Sequence, residues 1–143
     1  MNRTTLHPAI NHDCQWYLID AESKTLGRLA SEAAKILVGK NLPIYNPSRD
    51  IKNSLIIINA DKIKVSGKKE IHKFYRHHSG QVGGMKLETF SELQERMPGR
   101  VVEKAIRGML PKGPLGRTLF TKLKVYKGDK HPHSAQKPEI VNI

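Results

Sequence analysis

"WYLIDAESKTLGRLASEAAKILVGK", residues 16–40, changes its hydrophobic period once, and that change decides the fold. WYLID, residues 16–20, is a short aromatic and aliphatic run of strand type. Beyond it Leu26, Leu29, Ala30, Ala33 and Leu37 fall at i, i+3, i+4, i+7 and i+11, the stripe of an amphipathic helix, and Gly39 supplies its stop. LIIIN, residues 55–59, is a continuous, largely β-branched run, the pattern of a strand covered on both faces. Strand, helix and buried strand predict a βαβ crossover with parallel pairing, and so an α/β fold.

Further on the pattern weakens. Residues 69–78 mix Ile71, Phe74 and Tyr75 with basic residues, a fainter strand that runs into the glycine loop of YRHHSGQVGGMK, residues 75–86. Thr89 and Glu92 stand at capping-box spacing, with Phe90, Leu93 and Met97 as the stripe of the helix they open; Pro98-Gly99 breaks it. A following helix is predicted from Val102, Ala105, Ile106 and Met109, broken by Pro111, Gly113 and Pro114. Leu115, Leu119 and Leu123 suit one side of a last short helix, after which KVY, residues 124–126, returns to the sheet. Residues 128–143 have no period and are expected to form an extended tail; residues 1–15 form an N-terminal extension, and the whole of 1–143 is taken as one domain.

Twenty-five Lys and Arg against thirteen Asp and Glu give a formal charge of +12. The excess is concentrated: residues 62–86 carry seven basic residues and one acid, and residues 100–143 carry ten and three. Two such blocks suit a basic face turned toward a polyanion. Cys14, the only cysteine, excludes an intramolecular disulfide. The longest apolar run, Leu55–Ile58, is far too short to span a bilayer, and the N-terminus has no apolar signal core. No membrane partner and no small-molecule substrate are expected.

Histidines and a serine beside a glycine loop raise the question of catalysis. Adjacent His77 and His78 point to opposite faces of a strand, and His131 and His133 lack a cysteine pair to complete a zinc set, so no metal or other cofactor is expected. Ser79 lies outside a G-x-S-x-G elbow, and Glu70 is the single acid of its block. A Walker loop fails because Lys62 stands where its first glycine belongs and Lys69 where its Ser or Thr belongs. Phosphate recognition without turnover remains. Lys68, Lys69, Lys73, Arg76 and Lys86 surround a loop whose Gly83 and Gly84 let the backbone approach a ligand, and Tyr75, His77, His78 and Ser79 offer base stacking or phosphate contacts. Arg107, Lys112, Arg117, Lys122 and Lys124 form the second group, with Lys40 and the tail residues His131, His133 and Lys137 completing the candidate RNA-binding set. The alternative is an RNA-processing enzyme that uses one of these histidines as general acid or base.

WYLIDAESKTLGRLASEAAKILVGK, IIINADKIKVSGKK, YRHHSGQVGGMK, IRGMLPKGPLGRTLFTKLKVYKG and HPHSAQKPE resemble, in order and spacing, the bacterial-type L-thirteen family of large-subunit ribosomal proteins, from Trp16 to Glu139. That resemblance implies a three-layer α/β/α fold around a mainly parallel four-stranded sheet. It implies a non-enzymatic role: binding 23S-type large-subunit rRNA early in assembly, beside other large-subunit ribosomal proteins, on ribosomes of a bacterial cytoplasm or plastid stroma. RNA contact is expected in the loop after Tyr75 and across 108–124. The chain departs from the family pattern at NPSRDIKNS, residues 46–54, and at Gln81-Val82, where a basic-proline pair is commoner. The short N-terminal extension and the PEIVNI ending are similar to cyanobacterial or plastid members.

Overall fold

The computed structural model describes residues 14–43, 45–47 and 50–143; most of the N-terminal extension lies outside the described residues. The period change at the front of the chain is realised as expected. Strand β1 (Trp16–Asp20) leads into helix α1 (Leu26–Val38) and then strand β2 (Ser54–Ile58), which pairs parallel to β1 with Tyr17 opposite Leu55 and Ile19 opposite Ile57. Gly39 ends α1 in the left-handed conformation, φ 79°, and its N–H and that of Lys40 bond the Ile36 and Lys35 carbonyls. The buried Asn53 donates its side-chain N–H to the same Ile36 carbonyl at 3.0 Å, a second hydrogen bond at the helix end.

A 3-10 turn (Ala60–Lys62) and a one-turn helix α2 (Lys69–His72) follow β2. Of the weak strand read over 69–78 only 74–78 is a strand, since residues 69–72 form helix α2, and it does not join the sheet. It is β3 (Phe74–His78), paired antiparallel with β4 (Met85–Thr89) in a separate hairpin. Thr89 and Glu92 make the expected capping box at the start of α3 (Phe90–Arg96). Pro98 ends that helix by beginning the next, since a proline at the first helical position gives up only an N–H that has no partner there anyway. Helix α4 (Pro98–Met109) buries Val101, Val102 and Ile106, while Met109 is 48% exposed, so the apolar stripe is one turn narrower than the sequence pattern indicated. Helix α5 (Pro114–Thr121) packs through Leu119; Leu123 belongs to strand β5 (Leu123–Val125), parallel to β2. Gly116 has no substitute here, because a Cβ would lie 1.7 Å from the Pro111 carbonyl oxygen.

The tail supplies the fourth strand. After a 3-10 turn (Ser134–Gln136), β6 (Glu139–Ile140) pairs parallel to β1, completing the order β5-β2-β1-β6 in an all-parallel sheet. By the rule that crossovers between parallel strands are right-handed, the connections from β1 to β2 to β5 put the intervening helices on one face and the reversal to β6 takes the tail across the other. The side chains follow that rule. Tyr17, Ile19, Leu55 and Ile57 join Leu29, Leu37, Val102, Ile106 and Leu119 in one core. Leu18 and Ile56 alternate to the opposite face, where the tail gives the third layer and Ile56 is fully buried. The His133 ring lies 5.1 Å from that of Trp16, and its Nε2 is 2.8 Å from the Tyr126 hydroxyl. The stretch Leu55–Ile58 is apolar throughout because both faces of β2 are covered. Among the described residues no helix is long and apolar enough to cross a membrane.

Asn59 sits in the left-handed region at φ 55° and donates to the Asp20 carboxylate at 2.9 Å. That hydrogen bond, with a further one from the Glu22 backbone N–H, holds the Asp20 carboxyl below its ordinary value of 3.8. Stability from this pair is therefore present above that value and lost as pH falls through the lower folded one. At neutral pH, Asn59→Ala should cost about 1–3 kcal/mol in urea unfolding, and Asn59→Gly less, since glycine keeps the backbone unstrained. The gap between wild type and either variant should narrow below pH 3.8. His133→Ala should release the tail: the emission of Trp16, the only tryptophan, should shift to the red, proteolysis within 127–138 should quicken, and stability should fall by about 1 kcal/mol.

Candidate nucleic-acid interface

Helix α4 organises the charged surface. Its buried residues leave Arg100, Lys104 and Arg107 at i, i+4 and i+7 along the exposed side. Arg100 and Lys104 were not among the candidates, although their helical spacing with Arg107 is visible in the chain. On one flank they meet the inner face of the hairpin: Tyr75, His77, Lys86 and Glu88 line a groove of about 290 Å³ with Arg96, Arg100 and Lys104. Glu88 is taken by Arg96 in a two-pronged ion pair, at 2.6 and 2.7 Å, so the other cations of this groove keep their full charge.

Near the start of α1, Arg28 joins Lys69, Lys73, Gly108 and Met109 around a wider groove of about 800 Å³. The two basic blocks are therefore adjacent across α4, and Arg28 is a further cation that the blockwise charge count missed. Toward the end of α4, Arg107, Lys112 and Arg117 line a third groove of about 460 Å³ with Phe120, over whose ring the Arg107 guanidinium lies at 5.7 Å. Lys40 shares a neighbouring depression with Leu110 and Pro111. Among the described residues, Lys68, Lys69, Lys73, Arg76, Lys86, Arg100, Lys104, Arg107, Lys112 and Arg117 make no ion pair. Like charges held together without counter-charges repel, so a surface of this kind favours an anionic ligand.

Several candidates have other work to do. Lys122 is bound to Asp50 at 2.5 Å and is largely covered. His133 is engaged by Trp16 and Tyr126 and anchors the tail on the face away from α4, and His131 Nδ1 accepts from the His133 N–H at 3.2 Å within the tail. Lys124 occupies the same face, opposite Ile56 in the register, and Lys137 is exposed beyond the 3-10 turn. Tyr75 is half-buried, with Lys104 Nζ 4.9 Å and Lys73 Nζ 5.5 Å from its ring centre and no hydrogen-bond partner for its hydroxyl among the described residues. Burial raises the Tyr75 phenol above its ordinary value, so it stays neutral. Its ring serves the lysines rather than a base.

The glycine loop is the turn of the hairpin. Gly80 and Gly83 adopt φ 92° and 73°, and a Cβ on Gly84 would lie 2.1 Å from Ser79 Oγ, so Gly84 makes room for Ser79 rather than for a ligand. His77 and His78 do point to opposite faces. His77 pairs with Lys86 on the inner side; His78 pairs with Met85 on the outer side and accepts the Gly80 N–H at 2.9 Å. With Tyr75, His78 and Ser79 engaged in packing and the hairpin turn, the site holds cations, not a nucleophile with a base and an orienting acid.

Residues 14–132 match the family model described as ribosomal protein L13. Over the whole chain it is 59% identical to large ribosomal subunit protein uL13 of Prochlorococcus marinus and 60% identical to that of Synechococcus sp., in each case covering 95% of the relative. Large ribosomal subunit protein uL13c of Guillardia theta is 59% identical over 138 residues, 96% of both chains. The resemblance carried by the sequence motifs is thus confirmed, and the chain belongs to the ribosomal protein L13 family.

Proposed function

We propose that this protein is a structural constituent of the large ribosomal subunit and binds large-subunit rRNA through the face centred on α4. The observation that carries this reading is the convergence of two basic blocks, remote in sequence, on one exposed helical stripe whose Arg100, Lys104 and Arg107 make no ion pair among the described residues. Belonging to a ribosomal-protein family makes the chain a structural protein, not the histidine-dependent RNA-processing enzyme held as the alternative.

Arg28, Lys69, Arg100, Lys104, Arg107, Lys112 and Arg117 neutralise phosphates and release counterions, which gives affinity but little sequence preference. Selectivity then comes from shape: three grooves at fixed spacing fit a folded RNA whose phosphate ridges match them, and A-form major grooves are too narrow for side chains to read. Adding these contacts early would screen phosphates that otherwise keep rRNA helices apart, which fits a role in subunit assembly beside neighbouring ribosomal proteins.

Filter binding to a cognate large-subunit rRNA fragment across salt tests the proposal. Arg100→Ala, Lys104→Ala and Arg107→Ala should each reduce the slope of log affinity against log salt by about 1. Lys122→Ala should leave the slope unchanged, because Asp50 already neutralises that charge. Equal affinity for a scrambled RNA at every salt concentration would rule out a specific site.

A further inference from the structure

A basic surface does not account for the apolar one beside it. Of the seven large hydrophobic side chains exposed among the described residues, five lie within 71–87: Ile71, Phe74, Val82, Met85 and Leu87. The hairpin register sorts them. Phe74, Arg76 and His78 on β3 share the outer face with Leu87 and Met85 on β4, while Tyr75, His77, Lys86 and Glu88 face the groove. Phe74, Met85 and Leu87 are each more than half exposed.

Resting on the rRNA reading above, we propose that this outer face is a stacking platform for unpaired bases, so that the hairpin takes a looped or bulged RNA segment rather than a duplex. Phe74, Arg76 and His78 stand at i, i+2 and i+4 on one strand, flat groups roughly 7 Å apart, with Leu87 and Met85 as the apolar floor between them. Each of the three groups can lie against a base: a phenyl ring, a guanidinium plane and an imidazole. The His78 ring is fixed in place by the Gly80 N–H. Arg76 has no ion pair among the described residues, so its plane is not committed elsewhere.

Charge selects the occupant. Among these five residues there is a cation and no carboxylate, within a segment carrying seven basic residues and one acid. A ligand that is both flat, apolar in parts and anionic along its chain satisfies Phe74 and Arg76 together. A duplex hides its base faces and would leave Phe74, Met85 and Leu87 against water or phosphate.

Fluorescence anisotropy with the full-length protein separates the outcomes, using a short mixed-sequence single-stranded RNA, the same strand in duplex, and a ribose-phosphate strand without bases. The single strand should bind most tightly. Phe74→Ala and Phe74→Leu should each weaken it about five- to a hundredfold, with Phe74→Trp restoring affinity and the salt slope unchanged throughout. Arg76→Lys, which keeps the charge and loses the plane, should also weaken it. Circular dichroism and urea melts of the variants should match wild type, since Phe74 is 54% exposed. Wild-type affinity in both Phe74→Ala and Phe74→Leu, with rRNA-fragment binding intact, would overturn the platform and leave the proposed function standing. So would Phe74→Leu behaving as wild type while Phe74→Ala particles lose a cross-link to a neighbouring protein, which would make the face a protein contact. Failure of the wild-type protein to bind any of the three strands while it still binds the rRNA fragment would remove the platform alone, and failure to bind the rRNA fragment as well would remove both.

Discussion

Burial of Val101, Val102 and Ile106 on α4 against α1 and the sheet is the constraint on which the other features depend. A helix cannot turn one face inward without turning the other outward, so fixing these three apolar groups also fixes Arg100, Lys104 and Arg107 as an external row. Each fully buried aliphatic side chain contributes roughly 1.5–3 kcal/mol, whereas like charges four residues apart on a helix cost only about 0.2–0.5 kcal/mol. Packing therefore wins locally, and the protein tolerates a row of cations that would not assemble on electrostatics alone. An anionic partner would relieve that mutual repulsion.

Two of the ion pairs show how the remaining charge is handled. Arg96 takes Glu88, the acid that would otherwise neutralise the groove under the hairpin; Asp50 takes Lys122 beside β5. The Arg96–Glu88 pair is half exposed, and pairs of that type add little stability, while the Lys122–Asp50 pair is more covered. Their larger effect is on which charges stay available. The groove keeps Arg100, Lys104 and Lys86 uncompensated, while the charge of Lys122 beside β5 is met by Asp50.

The hairpin and the tail are the two segments that leave the helical layer, and they are held differently. The tail is tied by backbone pairing of β6 to β1, by the Val141 N–H to Leu18 carbonyl bond at 2.9 Å, and by His133 between Trp16 and Tyr126. The hairpin has one face over α3 and α4 through Tyr75 and the other open to water. A two-stranded ribbon with an uncovered apolar face is marginal by itself, and here its inner face supplies the support. An element built this way is suited to a partner that completes its second side.

The sequence by itself determined the βαβ unit, because WYLID, the 26–37 stripe and LIIIN are local periodicities whose burial requires parallel pairing, and it determined the capping box at Thr89, which spans a single turn. Its family motifs also survived comparison with known proteins. Only tertiary structure decided the rest. Strand β4 was hidden because MKLET buries neither face, so it has no covered side to leave a clear alternation, and β6 is two residues held by a partner far away in the chain. Candidate residues were assigned by charge and neighbourhood, which cannot see that Lys122 meets Asp50 across 72 positions, that Tyr75 lies under two lysines, or that Arg28, Arg100 and Lys104 join the same surface. Local pattern follows from hydrogen bonding and burial within a turn or a strand; which charges remain free depends on contacts between segments that the chain brings together only when it folds.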